Sequence, residues 1–301
     1  MDISVLQTFV EVMRQGSFVA VAKSRNIDPS SVSRAIANLE AELGIRLFQR
    51  TTRQVYPTEE GITYFNQIEP LVSELKQAMM VVKDTSGQVG GTLRITAPFS
   101  FGHRCIVPLL GKFSRLYPDL TIDLVLTDAI VDLLAERIDI AVRLATLNDS
   151  TLIAEQLMRT QYIVCASPKY LEQSGNLQQP QDIQNHNCLL FPWSGFRTRW
   201  IFRNQKSEET AVAVNGKTMI SSAIALQECA IMGLGLALLP DWLVGKDLSN
   251  GVLVNAFPDY EVTATNFHTA AWLVYPSRIY IPLKVRIFIE FLKSSIAHLL
   301  S

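Results

Sequence analysis

Along the first 58 residues the apolar positions fall into short helical stripes. Leu6, Phe9, Val10 and Met13 recur at i, i+3, i+4 and i+7, the pattern of one buried helix face. Gly16-Ser17 breaks that stripe, and Ser17 is placed to cap a second helix over Phe18 to Ser24. A turn, Asn26-Ile27-Asp28, leads to a third. There Asp28-Pro29 is a helix-start signal, Val32, Ile36, Leu39 and Leu43 form the inward stripe, and Gly44 stands at the stop position. The opposite side of this third helix is short and poor in acid: Ser30, Ser33, Arg34, Ala37 and Ala41.

The next stretch, "IRLFQRTTRQVYPT", alternates only partly and reads as a turn or a small two-stranded wing. From Thr58 to about Val82 the helical period returns, with Glu59 and Glu60 in the first turn, where the helix dipole favours them. Phe65, Ile68, Val72, Leu75, Met79 and Val82 make a narrow seam suited to packing on another helix, such as its own copy in a dimer, with a helix lying on its own domain as the alternative. "DTSGQVGG", Asp84 to Gly91, reads as a hinge.

The remaining 210 or so residues alternate strand and helix patterns. "TLRITAP", "LTIDLVLTD" and "DIAVRL" read as strands, with helices at "RCIVPLLGKFSRLYP" and "IVDLLAERI". A second group holds "QYIVCAS", "NCLLF", "TAVAV", the helix "SSAIALQECAIMG" and the strand "LGLALLP"; a strand "TAAWLVYP" and a helix from about Pro282 close the chain. Such alternation predicts α/β units with mostly parallel sheets behind an all-α head. The two groups predict two lobes around a cleft, lobe I being about 91–160 and 266–301 and lobe II about 161–265. The head spans 1–58, the linker helix and hinge 59–90, and the two-lobed domain 91–301.

Charge refines this picture locally. The whole chain balances 27 basic against 28 acidic residues, so it is not a generally basic nucleic-acid binder. Residues 1–58 carry seven Lys/Arg and five Asp/Glu, and residues 44–57 hold Arg46, Arg50 and Arg53 with no acid. The amino terminus lacks a basic region followed by an apolar block, and no run of about 18 apolar residues offers a membrane span. The four cysteines, Cys105, Cys165, Cys188 and Cys229, lack metal-ligand or redox spacing and read as reduced, buried apolar residues. A cytoplasmic protein without a cofactor is expected.

A helix, a short turn and a second helix with short outward residues is the helix-turn-helix arrangement, here about Phe18 to Ala37. Ser30, Ser31 and Ser33 let the helix approach a DNA groove closely, Arg34 and Asn38 are the longer readers, and the arginine wing, Arg50 and Arg53, meets phosphate or the minor groove. The alternative for the same residues is a small helical core with a serine-rich solvated face.

Residues 1–61 resemble the N-terminal domain of the LysR-type transcriptional regulators, through Leu6, Phe9, Gly16 to Phe18, Ala20, Ala22, Val32-Ser33-Arg34, Ile36, Leu39-Glu40, Leu43-Gly44, Leu47, Phe48, Arg50, Thr58, Glu60 and Gly61. "GTLRITAP", "FSRLYPDL", "DIAVR" and "GLGLALLP" extend a looser resemblance over the rest. The resemblance implies a winged helix-turn-helix, a long linker helix and a two-lobed effector domain like that of periplasmic binding proteins. It implies a homodimer, often a homotetramer, that binds double-stranded DNA and answers to a small co-inducer between the lobes. Ser33 and Arg34 match the family's recognition-helix Ser-Arg, and Arg50 and Arg53 its basic wing. The departure is Asp28-Pro29, where many members have Ser-Gln; proline brings no side-chain donor for base readout.

Other patterns carry little chemistry. "GLGLALL" opens a strand after a helix, the reverse of a dinucleotide fingerprint. His103, His186, His268 and His298 lack metal-ligand spacing, and no GxSxG elbow occurs, so neither a metal site nor an enzyme is expected. Ligands of two-lobed α/β domains sit beyond strand carboxyl ends and at helix N-termini, which points to Ser100, Phe101, Asp128, Arg143, Trp193 and Ser221 for a small anionic or aromatic effector. Ser221 alternatively caps its helix, and Arg143 alternatively pairs with a nearby carboxylate. A solute-binding protein using only the two-lobed domain is the alternative for the whole chain.

Overall fold

A computed structural model describes residues 2–50, 55–85, 89–144, 152–175, 177–276 and 281–299. The chain forms two compact units, Met1–Gln88 and Val89–Ser301.

In the first unit, α1 (Ile3–Gln15), α2 (Phe18–Arg25) and α3 (Pro29–Leu43) enclose one core. Ser17 Oγ accepts the Ala20 amide at 3.2 Å, and Asp28 Oδ1 accepts that of Ser30 at 2.7 Å. Pro29 costs no bond at the first helical position, where an amide would be unpaired anyway. Gly16 and Gly44 close α1 and α3 at φ 62° and 70°, conformations that glycine adopts without strain. Phe9, Val12, Val21, Val32, Ile36, Leu39 and Leu47 are fully buried. Each such large side chain contributes about 1.5–3 kcal/mol. Leu43, the last residue of the α3 stripe, is half-buried against the same core.

The arginine segment folds as a two-stranded antiparallel wing, β1 (Phe48–Arg50) and β2 (Val55–Pro57). Glu40 Oε1 fixes its entry by accepting the amides of Leu47 and Phe48 at 2.8 and 3.1 Å.

Helix α4 (Glu59–Thr85) runs through Asp84 and Thr85, which sequence reading gave to the hinge. Its seam divides. Phe65, Ile68 and Val72 pack into the core of the first unit, Phe9 meeting Phe65 edge-on at 6.5 Å. Those three therefore serve the head itself, because the α4 stripe is the surface that closes over α1. Leu75 is half-buried, and the side chains of Met79 and Val82 lie outside the described residues. A second apolar line, Leu71, Leu75 and Ala78, is exposed at its ends, Leu71 by 59%.

The second unit begins with β3 (Gly91–Ala97), then α5 (Phe99–Phe101), a π-helical turn (Gly102–Ile106) and α6 (Val107–Leu116). Pro108 has no amide to give this continuous helix, and the wider turn just before it accommodates the ring. Then come β4 (Leu120–Leu126), β5 (Ile140–Arg143) and β6 (Leu152–Arg159). The predicted helix at "IVDLLAERI" is instead a turn. Asp132 accepts the Leu134 and Ala135 amides, and Arg137 at φ 55° ends the turn before a second can form.

The chain next builds the other lobe: β7 (Tyr162–Ala166), α7 (Pro168–Gln173), β8 (Cys188–Leu190), β9 (Arg199–Arg203), β10 (Glu209–Ala213), β11 (Thr218–Met219), α8 (Ala223–Ile231), β12 (Leu236–Pro240), α9 (Asp241–Ser249), β13 (Val254–Asn255) and β14 (Glu261–Thr263). It returns through β15 (Ala270–Pro276) and α10 (Leu283–Leu299). Lys284 and the Arg94 amide share Asp139 Oδ2, at 2.5 and 2.9 Å, which pins α10 to the first sheet.

The sheets are mixed rather than mostly parallel. The first has order β4-β3-β5-β15-β6, parallel as far as β5 and antiparallel beyond it. The second, β10-β9-β14-β7-β12-β8-β11 with β13 also on β7, is parallel only at β12-β8-β11. Short returns dictate this: β9 and β10 are joined by a tight turn in which Asn204 Oδ1 accepts the Lys206 and Glu208 amides, and so short a link allows only antiparallel pairing.

Gly61 sits where α4 passes the backbone of the wing. A Cβ there would lie 2.2 Å from the Leu47 carbonyl oxygen, next to the Thr58 hydroxyl that caps α4 through the Gly61 amide. Gly61→Ala is expected to destabilise the head by about 1–3 kcal/mol. Amide hydrogen exchange in α1–α3 of the full chain would then speed up by roughly tenfold or more; unchanged protection would refute this.

Candidate DNA interface and inter-lobe cavity

The recognition surface follows from the burial of α3. With Val32, Ile36 and Leu39 inward, Ser30, Ser31, Arg34, Ala37 and Asn38 are exposed and Ser33 is half-buried. The Arg34 guanidinium folds back on the first turn, Nη2 donating to Ser30 Oγ at 3.2 Å and Nε to the Ser30 carbonyl at 3.4 Å. The Asp28 carboxyl is held below its ordinary value by hydrogen bonds from Ser30 and, more weakly, by the Arg34 charge. The Arg50 side chain and all of Arg53 lie outside the described residues. Exposed Arg46 enters the wing, its carbonyl accepting the Thr58 hydroxyl at 2.7 Å.

In the second unit a cavity of about 800 Å³ opens between the two sheets. Ser100, Asp128, Arg143, Trp193 and Ser221, five of the six residues singled out by sequence, line it. Phe101 does not. It is fully buried behind the cavity, edge-on to Trp242 at 5.1 Å, because the helical turn after Phe99 points it into the core.

Each polar group has a definite local role. Asp128 Oδ1 accepts the Phe99 amide at 3.1 Å, which commits it to the start of α5. Ser100 Oγ accepts the Ile224 amide at 3.4 Å and so ties the first lobe to α8. The N-cap of α8 is Ser222, its Oγ accepting the Ala225 amide at 3.4 Å, and not Ser221. The shift by one residue leaves the Ser221 hydroxyl without a hydrogen-bond partner among the described residues. Two amides of the first turn are already used, so the hydroxyl, rather than the helix end, is what Ser221 offers. Arg143 Nη2 reaches only the Val131 carbonyl, at 3.4 Å, and has no ion pair among the described residues.

Sequence reading named Trp193 but missed the rest of the aromatic wall. Phe191 and Trp193 stack at 4.7 Å and 11°, Phe196 meets both edge-on, and Tyr162 meets Phe196 at 5.4 Å. All four line the cavity together with Trp242. They come from β7, the segment after β8 and the start of α9, and no sequence period links them.

Burial sets the titration of several groups in the second unit. Cys105, Cys165 and Cys188 are pushed up to about 12 by desolvation, so they remain thiols at neutral pH. Desolvation likewise raises Tyr162 to about 12. Asp241, at the start of α9, lies above its ordinary value because it is buried, although the amides of Gln161 and Trp242 pull it the other way.

A small helical head with a wing and an exposed short-residue helix, followed by a two-lobed domain with a cavity, defines a DNA-binding regulator with a ligand-binding domain. The family model described as bacterial regulatory helix-turn-helix protein, lysR family, matches residues 3–62, and that described as LysR substrate binding domain matches residues 86–297. The chain belongs to the LysR-type transcriptional regulators. It is 32% identical over 298 residues to the HTH-type transcriptional regulator PtxR of Pseudomonas aeruginosa, covering 97% of this chain and 92% of that one. It is 31% identical to CrgA of Neisseria meningitidis serogroup C, covering 95% and 94%. The solved structure of CrgA from Neisseria meningitidis, a LysR-type transcriptional regulator, superposes with a TM-score of 0.63 at 29% identity, covering 98% and 99%. That of AphB, the Vibrio cholerae virulence activator, gives 0.61 at 26%, with the same coverage. Because the matches include the head, the solute-binding alternative gives way to a DNA-binding transcriptional regulator with an effector-binding domain. No helix among the described residues is long and apolar enough to cross a membrane.

The raised Asp241 value has a definite sign. A carboxyl whose folded value lies above its unfolded value of about 4 favours folding below that value and loses this contribution as pH rises through the folded one. Asp241→Asn is therefore expected to be more stable than the parent at neutral pH, with the gap closing toward pH 4. All four tryptophans lie in the second unit, so urea unfolding followed by their fluorescence reports it. A gap independent of pH would count against this assignment.

Proposed function

We propose that residues 1–58 dock α3 in the DNA major groove, that 59–90 link and dimerise two chains, and that 91–301 hold the effector in the inter-lobe cavity. The observation that carries the DNA reading is the exposed side of the first three turns of α3: Ser30, Ser31, Arg34, Ala37 and Asn38, with no carboxylate before Glu42, on a helix that Glu40 locks to the wing. Ser30, Ser31 and Ser33 approach the backbone and bases closely, Arg34 and Asn38 read base edges, and Arg50 and Arg53 neutralise phosphates. The protein works in the cytoplasm by binding rather than by catalysis, and effector binding between the lobes alters the lobe angle and hence the spacing of two heads. Ser100, Asp128, Arg143, Trp193 and Ser221 face that effector.

Gel shifts on the protein's own upstream DNA at two salt concentrations test the docking. Arg34→Ala is expected to weaken binding by about tenfold or more, and Arg50→Ala to reduce the slope of log affinity against log salt by about one. If neither changed, the docking of α3 and the wing would be wrong.

Dimerisation runs through the second line of α4. Leu71, Leu75 and Ala78 follow at i, i+4 and i+7 and leave apolar surface exposed, whereas Phe65, Ile68 and Val72 are used inside the head. Leu71→Glu is expected to shift the chain toward monomer in analytical ultracentrifugation. An unchanged sedimentation profile would move the interface elsewhere.

A further inference from the structure

The polar groups that line the cavity divide unevenly between donors and acceptors. Asp128, the acidic residue of the lining, is bonded to the Phe99 amide at the start of a helix, where its charge also meets the positive end of the dipole. Ser100 and Thr127 use their oxygens to accept amides, from Ile224 at 3.4 Å and Ala129 at 3.2 Å, and keep their hydroxyl protons to donate. Ser221 has no partner among the described residues. Trp242, 4% exposed, also lines the cavity, but its Nε1–H is buried away from the open space and has no hydrogen-bond partner among the described residues. Arg143 has one long bond to a carbonyl and no ion pair among the described residues. Apart from the second oxygen of Asp128, the accessible groups left over can all donate, and one of them is a cation. A ligand that completes this set brings acceptors and one negative charge.

The apolar part of the lining is as particular. Trp193 is 46% exposed although it lies flat on the buried Phe191, so one indole face is open beside the cavity. Phe196 braces the pair edge-on, and Tyr162 in turn meets Phe196 edge-on. A braced open π-face gains more from a flat ring than from a puckered ring of equal size, since stacked and edge-on contacts add to burial. The volume, about 800 Å³, lies within the range of small-molecule sites.

Resting on the reading of this cavity as the effector site, we propose that the effector is a planar aromatic carboxylate without an ammonium group. Its ring lies on the wall formed by Trp193 and Phe191 in the second lobe, and its carboxylate meets Arg143 in the first, with Ser221 as a further donor. Such a ligand bridges the lobes and shifts their angle by the difference in its affinity for the two arrangements.

Full-length protein is titrated, by calorimetry and tryptophan quenching, with benzoate, phenylacetate and indole-3-acetate. Benzamide serves as the neutral control, cyclohexanecarboxylate as the puckered one and L-phenylalanine as the zwitterion. At least one aromatic acid is expected to bind saturably, and its amide, puckered or zwitterionic counterpart to bind about tenfold more weakly or worse, which is about 1.4 kcal/mol. Arg143→Gln and Trp193→Leu, each shown to be folded by its melting curve, are expected to weaken the acid by a similar factor. The proposal falls if no aromatic acid binds at millimolar concentration, if benzamide, cyclohexanecarboxylate or L-phenylalanine binds as well as its partner acid, or if both folded variants bind like the parent. Failure of the class is separable from failure of the site. A non-aromatic or cationic compound whose binding is lost in Trp193→Leu or Ser221→Ala overturns the class and keeps the cavity as the effector site. A compound that changes DNA binding equally in the parent and in all three cavity variants overturns the site as well.

Discussion

The second unit depends on a double crossing. The chain leaves the first sheet after Arg159 and enters the second at Tyr162; it leaves the second after Thr263 and rejoins the first at Ala270. The two crossings run side by side and are bonded: the Thr160 amide donates to the Thr269 carbonyl at 3.0 Å, and the Thr269 hydroxyl to the Thr160 carbonyl at 2.5 Å. Two short connections held together fix the axis about which the lobes can turn. Tyr162, next to one crossing, is also the inner end of the aromatic wall. The cavity thus lies beside these paired connections, the place from which, in the proposed function, a ligand that touches both lobes changes their angle.

How much of this was legible in the sequence follows from how local the cause of each feature is. Helix α3 was readable because its start, its stripe and its stop are all local: Asp28-Pro29, Val32-Ile36-Leu39 and Gly44. The turn at Asp132 was not, because "IVDLLAERI" has good helical spacing and only the Asp132 side chain and the left-handed Arg137 reveal the turn. Strand direction was misjudged for a similar reason. Alternation of strand and helix predicts parallel pairing, whereas here short returns and the second crossing insert antiparallel partners. In the cavity, positions beyond strand ends gave the polar residues well. The aromatic wall depends on contacts between segments far apart in sequence, and Ser221 and Ser222 cannot be told apart as caps without the backbone.

Helix α4 shows why a seam of the right period need not be an interface. A helix more than seven turns long can carry two apolar lines, one for its own domain and one for a partner. Phe65, Ile68 and Val72 are the more obvious line because they include an aromatic residue and regular spacing, and they are needed where α4 covers α1. Leu71 and Ala78 look like noise in the sequence, yet they are what remains exposed once the first line is used. Burial by the head's own core, rather than periodicity, separates the two.

At the DNA-facing end, the Asp28-Pro29 pair has consequences that reach beyond capping. The Asp28 N-cap accepts its amide in a charge-assisted hydrogen bond, and hydrogen bonds from Ser30 keep its carboxyl charged. In the proposed docking it also places a negative charge at the helix end that approaches phosphate. Arg34, one turn further along, offsets that charge and is already held by Ser30. Since Pro29 offers no side-chain donor, the proposed docking leaves the readout to Ser30, Arg34 and their exchange of mutual bonds for bonds to DNA. The bonds that Arg34 gives up in doing so are long, at 3.2 and 3.4 Å, and therefore weak. The guanidinium is held near the groove-facing side at little cost to its release, which favours an arginine that is positioned beforehand and free to choose among base edges.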